Sequence, residues 1–165
     1  MFRLQRSFGF TLIELIVTIA LIAVIAGFAV PSFSTMVANS RLASTSNDLV
    51  GLFNYARSEA VKTGRRVNIT PTSGSDWSNG ISVWIDQNAD GSMQNTEELR
   101  RNSAAPGAVS ITVSESFFFT GGGLIRNASG SAVTVRVCDD RSGEQGRSIN
   151  ISLGGRIRSE EWTCG

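Results

Sequence analysis

Histidine is absent from the chain. With it go the commonest general base and the commonest metal ligand, so hydrolase triads and zinc sites built on imidazole are unavailable. No nucleophile and base stand at recognisable spacing either, and the expectation is a protein with no catalytic residues, no cofactor and no metal. Charge of one sign is equally scarce: the formal net charge is +1, with 18% charged residues. That balance excludes a strongly basic nucleic-acid protein, so any nucleic-acid role must be local. No internal repeat or long linker divides the chain, and its 165 residues fit one domain plus an appendage.

What is abundant is apolar sequence, and it is unevenly spread. Residues 10–30 form a nearly unbroken hydrophobic run whose one ionisable member is Glu14. As a helix the run reaches about 31 Å, enough for a hydrocarbon core of about 30 Å. Arg3 and Arg6 precede it and no comparable basic pair follows closely. The positive-inside tendency therefore keeps the first residues cytoplasmic and sends the remainder across. A secretory signal peptide would have a shorter apolar region ending in a small-residue cleavage site, so that reading is disfavoured. Cys138 and Cys164 both fall in the exported part, where an oxidising compartment lets them pair; the alternative is two separate thiols.

Helical periodicity continues past the membrane run to about Lys62, with Leu42, Leu49, Phe53, Ala56 and Ala60 on one face and Gly64 as the stop. A helix of about 53 residues is about 80 Å long, so its second half must leave the membrane. Pro31 lies inside it and is expected to kink or locally open it near the membrane exit. Short β-rich runs follow at 66–70, 81–86, 109–113, 132–138 and 148–153, separated by Gly-rich and Ser-rich turns. Val133, Val135 and Val137 alternate with Thr134 and Arg136, the pattern of a half-buried strand. The expected fold class is α+β, a long proline-kinked N-terminal helix packed on a small antiparallel β-sheet domain.

Gly9-Phe10-Thr11-Leu12-Ile13-Glu14, behind a short basic leader and ahead of the apolar run, resembles the class III signal of type IV prepilins and pseudopilins. The resemblance implies a leader at 1–9, cleavage by prepilin peptidase after Gly9 and N-methylation of the new terminal Phe10. It also implies a helix at 10–62 and a periplasmic β-rich domain at 63–165. An unpaired acid in a membrane helix costs about 2.5–3.5 kcal/mol on insertion scales and usually has a functional partner. The expected partner of Glu14 is the Phe10 amine of a neighbouring subunit. Asn54-Tyr55-Ala56-Arg57-Ser58-Glu59-Ala60, a strand containing Trp84, and Gly155-Arg156-Ile157-Arg158 are similar to the FimT, FimU and GspH group.

That group implies the type IV pilin fold and a minor pilin active in pilus assembly or initiation, within a tip complex, supporting twitching motility and adhesion. The implied partners are other minor pilins, the major pilin, prepilin peptidase and the inner membrane of a Gram-negative bacterium. Two alternatives stay open: a DNA-binding minor pilin for natural transformation, and a pseudopilin of type II secretion. FimT-type members carry a Gly-Arg-x-Arg motif that Gly155, Arg156 and Arg158 match. In a strand, Arg156 and Arg158 project from one face about 6.6 Å apart, compatible with successive phosphates, and Arg136 and Arg147 extend the patch if their strands are neighbours. Asp139, Asp140, Glu160 and Glu161 weaken the local positive field.

Asp86-Gln87-Asn88-Ala89-Asp90-Gly91, with Glu97 at the twelfth place, matches the text of a calcium loop. Trp84 and Ile85 before it read as strand, however, and the same composition suits a hairpin turn. Phe117-Phe118-Phe119 ahead of a glycine run is expected to close a core. Trp77 and Trp162 fit either partner contact or base stacking.

Overall fold

The computed structural model describes residues 9–107, 109–141, 143 and 145–165. Arg3 and Arg6 of the expected leader lie outside these residues. The chain separates into two compact units, Met1–Val37 and Ala38–Gly165, and one helix, α1 (Leu12–Thr63), contributes to both.

In the first unit α1 is apolar and wholly exposed from Leu12 to Met36, with Phe28 at 79% exposure. It is long and apolar enough to cross a membrane. The chain stays helical through Pro31 rather than opening there. Proline deletes one backbone donor but leaves the rest of the ladder intact. The Pro31 carbonyl accepts from Ser34 Oγ at 2.8 Å and Thr35 Oγ1 at 3.2 Å, binding the following turn to it.

In the second unit the same helix is amphipathic. Leu42, Thr45, Ser46, Leu49, Leu52, Phe53, Ala56 and Ala60 are buried at spacings of one, three and four, the stripe that one helix face presents. The helix stops where Gly64 takes φ +67°, a left-handed conformation that glycine adopts without a Cβ penalty.

Among the described residues nine strands follow, all antiparallel, in two sheets. They are β1 (Val67–Pro71), β2 (Ile81–Trp84), β3 (Glu98–Asn102), β4 (Ser110–Val113), β5 (Phe118–Phe119), β6 (Ile125–Arg126), β7 (Val133–Cys138), β8 (Gln145–Ile151) and β9 (Ile157–Thr163). The first sheet has the order β3-β2-β1-β5-β6 and the second β4-β7-β8-β9. Both send their inner faces into one core with α1: Val67, Ile69 and Val83 from the first sheet, Val133, Val135, Val137, Ile149 and Ile151 from the second. Phe53 of α1 meets Phe117 edge to face at 5.7 Å, and Phe117 meets Phe119 at 5.9 Å. Each such buried apolar side chain is worth about 1.5–3 kcal/mol. Phe118 turns outward instead, under the Arg66 guanidinium at 3.7 Å.

A single 3₁₀ turn at Trp77–Asn79, capped by Asp76, covers the edge of β4: the Ile111 N–H donates to Ser78 Oγ at 2.9 Å. The opposite edge of that sheet, β9, is tied down at its end by a disulfide between Cys138 and Cys164. The bridge spans β8 over Gly146, where a Cβ would collide with the Cys164 sulfur and come 2.6 Å from the Val137 carbonyl oxygen.

Candidate functional site

The N-terminal signal residues take up a specific local structure. Thr11 caps α1: its N–H and Oγ1 donate to Glu14 Oε2 at 3.1 and 3.2 Å, and the Glu14 N–H returns a bond to Thr11 Oγ1 at 3.3 Å. This is a reciprocal capping box, which satisfies donors that a helix start otherwise leaves free. Glu14, the one acid of the apolar segment, is thus held at the helix start, next to a Phe10 that is 93% exposed. Sequence reasoning missed this box, which the Thr-x-x-Glu spacing before an apolar run could have signalled.

The four arginines proposed for a basic face separate. In an antiparallel ladder directly opposed residues share a face. Arg136 stands opposite Ser148, and Ser148 opposite Glu160; Arg158 stands opposite Asn150, and Asn150 opposite Thr134. Arg136 and Arg158 therefore share the outer face of the second sheet. Arg147 stands opposite Val137, on the inner face, and pairs with Glu161 at 3.4 Å, so it does not extend that patch although its strand is adjacent. Arg156 precedes β9 and belongs to the turn, where its carbonyl accepts from the Ser152 N–H at 3.0 Å and its N–H donates to Ser152 Oγ at 3.2 Å. The outer face is mixed in charge, because Glu160 stands in the same cross-strand row as Arg136, beside the row of Arg158, and accepts from Asn150 Nδ2 at 2.6 Å. Arg136 stacks over the half-exposed Trp162 at 4.5 Å.

Sequence reasoning missed Arg57. Its Nε donates to the Gly123 carbonyl at 3.0 Å and its Nη2 to the Gly154 carbonyl at 3.2 Å. One side chain of α1 thereby ties the β5–β6 turn to the β8–β9 turn, and the Ile125 N–H adds a bond to the Leu153 carbonyl at 3.1 Å. Gly155, the glycine of the Gly-Arg-x-Arg match, has φ +74°, and a Cβ there would run into the Gly123 carbonyl. Two sequence signatures about a hundred residues apart, 54–60 and 155–158, are therefore parts of one joint. A lone arginine within an amphipathic helix carries no signal of such a tertiary role.

In the 86–97 loop each carboxylate accepts from the loop itself, while Asp86 Oδ1 is buried without a hydrogen-bond partner among the described residues. Glu97, 3% exposed, accepts from the Gln87 N–H at 2.7 Å, the Asn88 N–H at 3.4 Å and the Gln94 N–H at 3.2 Å. Asp86 Oδ2 accepts from the Gly91 N–H at 3.0 Å. The Ser92 N–H beside Asp90, helped by Asn88 and Gln94, holds that carboxyl below its ordinary value. Among the described residues no group of three or more His, Cys, Asp or Glu side chains is placed to hold a metal ion.

Residues 45–155 match the family model described as type II transport protein GspH, and residues 4–30 match the prokaryotic N-terminal methylation motif. No curated protein matches the chain significantly. Among solved structures the chain is similar to the type IV minor pilin FimU of Pseudomonas aeruginosa strain PAO1 in two crystal forms. In the first the identity is 28% and the TM-score 0.63, covering 74% of this chain and 90% of that one. In the second the values are 29% and 0.60, covering 72% and 92%.

Proposed function

We infer the function from family membership: this chain belongs to the GspH family, within the FimT, FimU and GspH group of pilins and pseudopilins, and has the type IV pilin fold. This is a family of structural subunits rather than enzymes. Our reading is a minor pilin that takes part in assembly or initiation of a type IV pilus, within its tip complex, and supports twitching motility and adhesion. The observation that carries the pilus over other uses is the similarity to FimU across 74% of the chain.

The mechanism follows from α1. Prepilin peptidase cleaves after Gly9, and Phe10 becomes the N-methylated terminus. Residues 10–30 hold the subunit in the inner membrane, with residues 63–165 in the periplasm, and pack into the filament core on assembly. Burying Glu14 there is unfavourable unless a positive group meets it. The Phe10 amine of a neighbour supplies that charge, so the acid selects one axial register. Pro31 marks where the apolar segment ends. Partners are other minor pilins and the major pilin.

The family's description, type II transport, favours a second reading: a pseudopilin that helps export folded proteins. A third, DNA capture for transformation, is supported by Arg136, Trp162 and Arg158 on one sheet face. Deletion of the gene, complemented by wild type or by Glu14→Ala, separates the three. Loss of surface pili and twitching, unrestored by Glu14→Ala, supports the pilus. Loss of enzyme secretion with pili intact moves the protein to type II secretion. Loss of DNA uptake alone moves it to transformation.

A further inference from the structure

The pole of the second unit where α1 ends concentrates both charge and exposed apolar surface. Segments 57–66, 120–126 and 152–158 are gathered there by Arg57, by the Ile125–Leu153 bond and by the Gly155 approach to Gly123. They contain seven basic residues and one acid, Glu59, in a chain whose net charge is +1. Glu59 is itself matched by Lys62 at 3.4 Å. Four large hydrophobics of this unit are exposed among the described residues, and three are here: Val61 at 55%, Leu124 at 40% and Leu153 at 42%. Val61 lies against Gly123, whose Cβ, if it had one, would sit 2.9 Å from a Val61 methyl.

Single exposed aliphatic residues need no explanation, but a group of them ringed by one sign of charge marks a docking surface. We propose that this pole docks a different pilin-family subunit through an apolar contact centred on Val61, Leu124 and Leu153 and ringed by acids on the partner's side. The proposal rests on the pilin reading above and names the partner chemistry. Nucleic acid fits less well, because aliphatic side chains offer bases little and the nearby Phe118 ring is already covered by the Arg66 guanidinium at 3.7 Å. A second copy also fits less well. The other end of the unit, around Ala38, would present Arg41, Asp139, Asp140 and Arg141, a balanced set rather than an acidic one.

The test uses the full chain in piliated cells, with the photocrosslinker p-benzoylphenylalanine replacing Leu124, Leu153 or, as an internal reference, Ile22. Adducts are identified by mass spectrometry. The expected result is an adduct with another pilin-family subunit from positions 124 and 153. Its yield should fall about tenfold when Lys62→Glu and Arg156→Glu reverse the ring of charge, the factor a modest loss of complementarity produces. An adduct with a pilin from position 22 but none from 124 or 153 overturns the docking surface and leaves the pilin reading standing. Adducts at 124 and 153 with DNA, or only with a second copy of this chain, also overturn it. No pilin adduct from any of the three positions overturns both readings.

Discussion

Residues 12–36 and 38–63 of α1 form one continuous helix in opposite surroundings. The first stretch exposes large apolar side chains all round its circumference; the second buries one face against two sheets and turns its polar face outward. A helix apolar on every side is stable only where something other than water covers it, a bilayer or other helices. A helix with one stripe is complete once its own domain has folded. The comparison teaches that the two halves draw stability from different sources, the second from this chain and the first from its surroundings. Damage to each should then register in different measurements.

The sharpest way to break the comparison is to make one substitution twice. Phe53→Ala removes a fully buried ring from between α1 and Phe117 and should lower the unfolding free energy of the second unit by about 3–5 kcal/mol. Phe28→Ala, at a ring 79% exposed, should leave thermal unfolding of that unit unchanged and impair assembly instead. Equal destabilisation by the two would mean that the halves are not independent.

Reducing the Cys138–Cys164 bridge comes next. The cysteines are 26 residues apart, and the loop-entropy account gives about 3.5 kcal/mol for that closure. Chemical denaturation with and without reductant should show the loss in the second unit, whereas the helicity of residues 12–36 in detergent should not respond.

The smallest effect separates two glycines. Gly155→Ala places a methyl group against the Gly123 carbonyl at φ +74° and should cost about 1–3 kcal/mol. Gly130→Ala, at φ +67° with nothing near its Cβ, should cost about 1 kcal/mol from backbone strain alone. If the two cost the same, the joint between the β5–β6 and β8–β9 turns contributes nothing.

Most of α1 was legible because hydrophobicity written every three to four residues needs no partner to be recognised, and Gly64 gave its end. The alternating valines of β7 were legible for the same reason. β3 escaped as a strand, and β9 was read as one only around Arg158, since Glu98-Leu99-Arg100-Arg101-Asn102 and Ile157-Arg158-Ser159-Glu160-Glu161-Trp162-Thr163 are edge strands, whose polar residues reflect exposure rather than backbone preference. β5 and β6, two residues each, are too short to carry a period. Partition into two sheets is a property of pairing between distant segments and leaves no local mark. In the candidate site, residue types were legible and their sides were not: whether Arg147 lies beside Arg136 depends on register, and a shift of one residue would have reversed the answer. Arg57 was invisible because its partners are main-chain carbonyls, which every residue possesses.

The capping box at Thr11 has a consequence for processing. Its three bonds join the N–H and hydroxyl of Thr11 to the carboxylate and N–H of Glu14, so both partners lie after Phe10. Under the proposed removal of a leader after Gly9, these three bonds remain within the retained chain. The cap of the first turn thus belongs to the segment that the proposed cleavage keeps.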